Sequence, residues 1–490
     1  MSLILAIDQS TSATKAVLFD AGGKVVDKAA RDHQQIYPQP GWVEHDADEI
    51  WQNVLAVIRD IAARQELAQL AGLSITNQRE TIVVFDRQNG HPLHNAIVWQ
   101  CRRGDALCQT LRERGYEEMV SAKTGLKIDT YFSASKFAWL IENKPDLAAK
   151  LRDGSAVIGT VEAYLVYRLS GGTVFATDYT NASRTLLFDI RALHWDDKLC
   201  ELFRVPMKAL PEVRASASTF GETDAGGALP KRVPIVGVMG DSQASLFAQR
   251  CFQPGAVKAT FGTGTSVLMN VGDKFKPAGN GAVTTLAWVW RGQPTYALEG
   301  IINFSAATIA WLKNQLELIR DEAEVEPLAR AVPDNGGVYL VPAFAGLSAP
   351  HWAPDARAAI VGMSAHTQRE HIVRATLESI AYQLRDVLDM MRADAGVTLR
   401  TLHADGGPTR NSFLMQFTAD ITGVELHVAD VAESSAWGAT MNGLLALGVV
   451  KSLDVLADMP RASRTYSPTM SAADAKRLHT GWLTAVKRIL

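Results

Sequence analysis

Leu3-Ile-Leu-Ala-Ile-Asp8, Gln9-Ser-Thr-Ser-Ala-Thr14 and Lys15-Ala-Val-Leu-Phe-Asp20 follow one another at the start of the chain, and Ala21-Gly-Gly-Lys24-Val-Val26 closes the run. Apolar stretches separated first by a turn of small hydroxyl residues and then by a glycine turn predict strand, polar turn, strand, glycine turn, strand. A helix follows. Asp46 or Asp48 is placed to cap it, and Ile50, Val54, Val57 and Ile61 recur on one face. Another strand is predicted over Leu73–Thr76, and strand and helix patterns then alternate to the end, which predicts an α/β architecture rather than a sandwich or a bundle.

The second half restarts a similar scheme, with short apolar runs at Ile235–Met239, Val257–Phe261 and Val267–Met269. Two related domains joined near residue 250 are therefore predicted, 1–248 and 249–490. Towards the end a long helix is predicted from about Arg369 to Ala395, stopped by Gly396; a strand ends at Asp405-Gly-Gly407; and a helix runs from about Arg410 to Thr422 before Gly423.

A length of 490 residues, 47% hydrophobic and 21% charged, with 37 Gly and 19 Pro, sits near the globular average and excludes disordered, collagen-like and disulfide-scaffold classes. The formal charge, 49 − 52 = −3, provides no basic field for nucleic acid or an anionic membrane, so neither is expected as a partner. Met1–Ala6 lacks a basic flank and Gly443–Val450 is too short to span a bilayer. The cysteines Cys101, Cys108, Cys200 and Cys251 form no C-x-x-C pair, and a reducing cytoplasm is the expected home.

Four small-residue turns follow predicted strands: Asp8–Ser12, Gly240–Gln243, Gly262–Ser266 and Asp405–Gly407. Such turns let backbone N–H groups approach an anion. One alone is an ordinary connection; four at strand ends favour nucleotide phosphate. No G-x-x-x-x-G-K-[ST] occurs, Gly262-Thr-Gly-Thr-Ser-Val267 breaks G-x-G-x-x-G at its last position, and neither G-x-S-x-G nor H-E-x-x-H is present.

Longer runs are more specific. Tyr131-Phe-Ser-Ala-Ser-Lys136-Phe-Ala-Trp139-Leu-Ile-Glu-Asn143 resembles the first motif of the FGGY carbohydrate kinases, and Ala358–Glu378, with Gly362, His371 and Ala375, resembles the second. Ile36–His45, Ile75–Thr81, Ala96–Arg103 and Thr177–Arg184 are similar to glycerol kinases in particular, and the resemblance extends from about residue 3 to 460. It implies two actin-like, ribonuclease-H-like α/β ATPase domains with a cleft between them, the polyol or sugar held mainly by the first and ATP mainly by the second.

The resemblance also implies site residues. Thr11, Ser12, Ala13 and Lys15 in one turn and Thr263 in the other would face the phosphates, with Asp8 reaching Mg²⁺; Ala306, Ala310, Gly407 and Asn411 would line the nucleotide. Asp241 would be the catalytic base, and its place at the end of a strand and the start of a helix over Gln243–Gln249 favours the carboxylate form; as plain structure it would be an N-cap. Arg79 and Glu80 would grip adjacent hydroxyls, with Tyr131 adding a hydroxyl contact and Trp99 an apolar wall.

Departures from the glycerol kinase pattern lie in the same places. Lys15 stands where Arg is usual, Ala306 and Ala310 replace Gly and Gln, Ser242 replaces Gln in the Gly-Asp-Gln-Gln motif, and Ser266 replaces Phe. An amide and an aromatic wall thus give way to two small hydroxyl residues, which implies a wider, more polar acceptor pocket. The expected enzyme is an ATP-dependent kinase of a small polyol or sugar, with a homodimer or homotetramer left open. The competing reading is an actin- or chaperone-like ATPase that binds a protein partner; it shares the phosphate turns and has no use for Arg79, Glu80, Tyr131 and Asp241.

Overall fold

The structure, a computed structural model, describes residues 2–279, 281–353, 355–429 and 433–490. Two large sheets organise it. Numbering their strands in chain order, β1 Leu3–Gln9, β2 Ala13–Asp20, β3 Val25–Asp32, β4 Leu70–Asn77, β5 Thr219–Thr223 and β6 Val233–Gly240 form the first. The second contains β7 Ala256–Phe261, β8 Thr265–Gly272, β9 Val283–Trp290, β10 Gln293–Ile302, β11 Thr401–Asp405, β12 Leu426–Ala429 and β13 Ser463–Tyr466.

The order β3-β2-β1-β4-β6 in the first sheet is repeated as β10-β8-β7-β11-β12 in the second. In each, three neighbouring strands pair antiparallel and two more join parallel beyond the first of them. Parallel neighbours require long crossovers, and helices supply them. Ala47–Arg64 lies between β3 and β4, Arg369–Ala395 between β10 and β11, and Ser412–Thr422 between β11 and β12. One sequence expectation is corrected: the run at Ile235–Met239 does not open the second scheme but ends the first, as the strand parallel to β4. The second scheme restarts at Ala256.

Local rules account for most boundaries. Asp46, not Asp48, caps Ala47–Arg64, its carboxylate accepting from the N–H groups of Asp48 and Glu49. Arg369–Ala395 stops at Gly396, which adopts φ 62°. Three bounds shift. The predicted Leu73–Thr76 strand spans Leu70–Asn77, the helix at Gln243–Gln249 is Asp241–Ala248, and the one at Arg410 begins at Ser412, after a short 3-10 turn over Gly407–Arg410.

The two sheets meet through an apolar layer rather than a bare cleft. Helix Ser434–Ala446, from the second half of the chain, lies across β1, β4 and β6 and against helix Asp241–Ala248. Met239, Ala244 and Phe247 pack there with Leu268, Ala297 and Trp437, all buried. A small antiparallel sheet of Glu44–His45, Ala96–Ile97, Ile82–Asp86 and Ala156–Thr160 stands beside the first large sheet. Among the described residues no helix is long and apolar enough to cross a membrane.

Candidate active site

At the end of β1 the chain turns through Ser10–Ser12 before entering β2. Every carbonyl of that turn is occupied. Ser10 O accepts from the Gln9 and Gln78 amides at 2.8 and 3.3 Å, and Ala13 O from the Ser10 hydroxyl and N–H, both at 2.9 Å. Thr11 O accepts from Gln35 Nε2 at 2.8 Å and lies 2.9 Å from His33 Nε2; Ser12 O accepts from His33 N at 3.2 Å. The N–H groups of Thr11 and Ser12 have no partner among the described residues. A turn whose acceptors are tied inward and whose donors remain open is suited to an anion.

The opposite turn is built differently. Gly262 O accepts from Ala306 N at 3.0 Å and Thr263 O from Ser305 N at 2.8 Å, so the start of helix Ala306–Asn314 holds it from behind. Thr265 and Ser305 hydroxyls meet at 2.7 Å, and Thr263 is exposed. Gly406, at φ 97°, lets the Asp405–Gly407 turn press onto this one, since a Cβ there would stand 1.9 Å from Phe261 O. Ala306 and Ala310 fall one helical turn apart and half-buried. Asn411 is the N-cap of Ser412–Thr422, its side-chain oxygen accepting from Leu414 N at 2.9 Å, which leaves only its amide N–H₂ for a ligand.

Beside these turns lies a cluster of charged side chains, most of them buried. Arg79 and Glu80 are 5% and 1% exposed, not the solvated surface pair that adjacent opposite charges usually make. Thr81 N donates to Arg79 O at 2.8 Å across Glu80, which is held at φ 63°. A buried, non-glycine residue in the left-handed region costs about 1–3 kcal/mol and persists where its surroundings over-determine it. Those surroundings are ionic. Arg184 Nε donates to Glu80 Oε1 at 2.6 Å, Arg79 Nη2 to Glu299 Oε1 at 2.6 Å and Arg79 Nη1 to Gln243 Oε1 at 3.1 Å. Arg79 Nε lies 3.3 Å from Asp241 Oδ1, and Arg184 Nη1 2.7 Å from Glu299 Oε2.

Asp241 is the first residue of its helix and not the N-cap, which is Gly240. Its Oδ1 takes both Arg79 and, at 2.6 Å, Ser242 N. Oδ2 is left for another partner, on a side chain 38% exposed. Tyr131 and Trp99 are in ring contact, with centroids 5.2 Å apart and planes tilted at 56°. Trp99 also reaches the first turn, its indole N–H donating to Thr11 Oγ1 at 3.0 Å. Tyr131 is held through its backbone, because the ammonium of buried Lys136 donates to the carbonyls of Thr130, Tyr131 and Phe132.

Comparison with known proteins decides the identity. The N-terminal domain of the FGGY family of carbohydrate kinases matches residues 3–248 and its C-terminal domain residues 257–447. The chain belongs to the FGGY family of carbohydrate kinases. It is 47% identical to the glycerol kinase of Symbiobacterium thermophilum over 487 residues, covering 99% of this chain and 98% of that protein. It is 45% identical to glycerol kinase 2 of Thermotoga maritima over 494 residues, covering 100% and 99%. The crystal structure of Plasmodium falciparum glycerol kinase with ADP superposes with a TM-score of 0.96 at 38% identity, covering 100% of this chain and 98% of that one. A ligand-bound xylulose kinase from Lactobacillus acidophilus, at 21% identity and a TM-score of 0.89, shares the fold.

The protein is thus an ATP-dependent kinase with an alcohol acceptor, like glycerol kinases. In this kinase burial pushes the Asp8 carboxyl up to about 7, opposed by the Lys15 ammonium and reinforced by Asp241 and Glu433. Lys15 stands 3.9 Å from Asp8 and 3.1 Å from Glu433, a carboxylate just ahead of helix Ser434–Ala446. Among the described residues no three acidic, His or Cys side chains gather as a metal site. Mg²⁺ is usually held by one or two carboxylates and the substrate phosphates rather than by an all-protein cage. Asp8 is the carboxylate at hand.

Burial pulls the Glu299 carboxyl upward, but Arg184 and Arg79 outweigh it and hold it at about 2. Burial raises Glu80, against the pull of Arg79 and Arg184. Burial also raises the Tyr131 phenol far above its usual range, so it stays a donor. Glu299, Arg184, Gln243 and Glu433 were not among the residues picked out from sequence. A hint for Glu299 existed: it is the one charge in the apolar run Tyr296-Ala-Leu-Glu299-Gly300.

Proposed function

We propose that this kinase transfers the γ-phosphoryl group of ATP to a terminal hydroxyl of a polyol or ketose longer than glycerol, of four or five carbons. The observation that carries this reading is Ser266: its hydroxyl is buried and has no hydrogen-bond partner. Ser266 pairs with Ile301 on β10 and Leu268 with Glu299, so Ser266 shares a sheet face with Leu268 and lies diagonal to Glu299. Ser242 begins beside Asp241 on the other side of the same site. Where glycerol kinases carry Phe and Gln, two hydroxyls are on offer. A buried hydroxyl left unpaired costs on the order of 1–3 kcal/mol, which an acceptor with a further hydroxyl would recover.

In the reaction the residues divide the work. Arg79 and Glu80 orient adjacent hydroxyls of the acceptor, and Tyr131 with Trp99 covers its carbon backbone. Asp241 Oδ2 takes the proton of the attacking hydroxyl as the bond from that oxygen to the γ-phosphorus forms and the bond to the ADP oxygen breaks. A loose transition state puts little demand on the base until late, and charge on the transferring group is met by fixed donors. The open N–H groups of Thr11 and Ser12, the Thr263 hydroxyl and Lys15 are those donors; Ala13 closes the first turn, and Ala306, Ala310, Gly407 and Asn411 face the nucleoside side. Mg²⁺, held by Asp8, would neutralise phosphate charge when bound. Residues 1–248 would thereby bind the acceptor and 249–490 the nucleotide.

A coupled ADP-release assay across three- to six-carbon polyols and ketoses tests the acceptor. The best longer compound is expected to exceed glycerol in kcat/KM by at least about tenfold, a difference of ~1.4 kcal/mol at the transition state. The double change Ser242→Gln with Ser266→Phe should return the preference to glycerol. If the unmodified enzyme prefers glycerol over the whole panel, the pocket has been refilled by its surroundings and the longer acceptor is wrong.

A further inference from the structure

Glu299 lies on the second sheet, yet its carboxylate is spent on the first half of the chain. Along β10 the side chains alternate: Tyr296 and Leu298 face the core of the second half, and Ala297 and Glu299 face the first. Ala297 meets the apolar layer around helix Asp241–Ala248. Glu299, 2% exposed, instead meets Arg79 at 2.6 Å and Arg184 at 2.7 Å. These two guanidiniums are the groups that reach Asp241 and Glu80. We propose that Glu299 is a positioning residue for the acceptor site, a carboxylate from the nucleotide-side sheet that fixes Arg79 and, through Arg184, Glu80 in the geometry that receives the acceptor hydroxyls.

The geometry explains why one residue does both. Glu299 Oε1 accepts from Arg79 Nη2 at 2.6 Å, while Oε2 lies 2.7 Å from Arg184 Nη1 and accepts from Arg79 Nη1 at 3.4 Å, so one carboxylate holds both arginines. Without Glu299, Arg79 already has Asp241 at 3.3 Å and Glu80 at 3.9 Å, and would close on them. That would block the proposed base and the proposed hydroxyl acceptor together. β10 ends at Ile302, and three residues on, Ser305 buttresses the Gly262–Thr265 turn. The strand that steadies the phosphate turn therefore also sets the acceptor grip.

The inference rests on Arg79 and Glu80 being acceptor ligands, and the experiment separates the two ideas. Steady-state kinetics are measured for Glu299→Gln, Arg79→Met and the double variant, with the best acceptor of the panel. Glu299→Gln is expected to raise acceptor KM by about tenfold or more while ATP KM stays within about twofold, a split that a loss of overall structure would not produce. In the Arg79→Met background the same change should cost a factor at least about threefold smaller, because contacting residues are not additive. Acceptor KM within twofold of wild type, an equal rise in both KM values, or simple multiplication of the two factors overturns the proposal. If Arg79→Met alone leaves acceptor KM unchanged, the acceptor reading itself fails and this one with it. Should Glu299→Gln not fold, Glu299→Asp keeps the charge but is too short to span both guanidiniums. A rise of about threefold in acceptor KM alone is expected for it, and no change overturns the proposal.

Discussion

Replacing Asp241 by Asn is expected to lower kcat by about 10²-fold or more while acceptor binding persists. The amide has the size of the carboxylate and keeps its hydrogen-bonding oxygen, so the contacts that Oδ1 makes with Ser242 N and with Arg79, 3.3 Å away, can survive. What is lost is the atom that takes a proton. General-base assistance is typically a factor of 10²–10⁴, and the fixed donors of the two turns remain to support a residual rate. Acceptor titration followed by calorimetry, beside turnover in the ADP-release assay, separates binding from chemistry. Turnover near wild type would leave Asp241 as nothing more than the acidic first residue of a helix.

Gly438→Ala is expected to be strongly damaging for a single added methyl group. Helix Ser434–Ala446 crosses helix Asp241–Ala248 at this glycine, and a Cβ there would stand 1.8 Å from Ala244 O and 2.5 Å from its carbonyl carbon. Both are backbone atoms in a helix and have no rotamer to yield. The helix is also pressed close to β6, since a Cβ on Gly237, at φ 71°, would lie 2.2 Å from Ala439 O. The helices must therefore separate, opening the apolar layer of Phe247, Trp437 and Met441. Overpacking of this kind costs roughly 3 kcal/mol and can cost more. The displaced helix carries Asp241 at its start, so kcat should fall with stability, since a shift of about 1 Å at a reacting group can cost 10²-fold. Denaturant unfolding and turnover measured together check this. An unchanged midpoint with unchanged kcat would mean the crossing is looser than these distances require.

The predicted bounds held where the signal was local. Gly396 ends the helix Arg369–Ala395, and small polar turns follow β1 and β7 as the hydroxyl and glycine runs suggested. Turn chemistry and periodicity act over a few residues, so a sequence displays them directly. Short strands told less: the same apolar pattern at Val233–Gly240 suits the last strand of one sheet or the first of the next, and only pairing with β4 decides. The alternative reading of Asp241 as an N-cap likewise fails, because Gly240 holds that position and Asp241 is the first helical residue.

What the sequence determined by itself is the α/β order, the small-residue turns at strand ends and the family whose motifs run through the whole chain. Only the tertiary structure decided how the charges are used. Arg79 and Glu80 look alike as neighbours in sequence, but Arg79 is answered by Glu299, 220 residues away, and Glu80 by Arg184, 104 residues away. Lys15 is likewise answered by Glu433, 418 residues away. The pairing of a buried charge depends on which residues fold into contact, because removing it from water is tolerable only when an opposite charge meets it there. That meeting is set by the tertiary packing of distant segments, and no spacing along the chain encodes it.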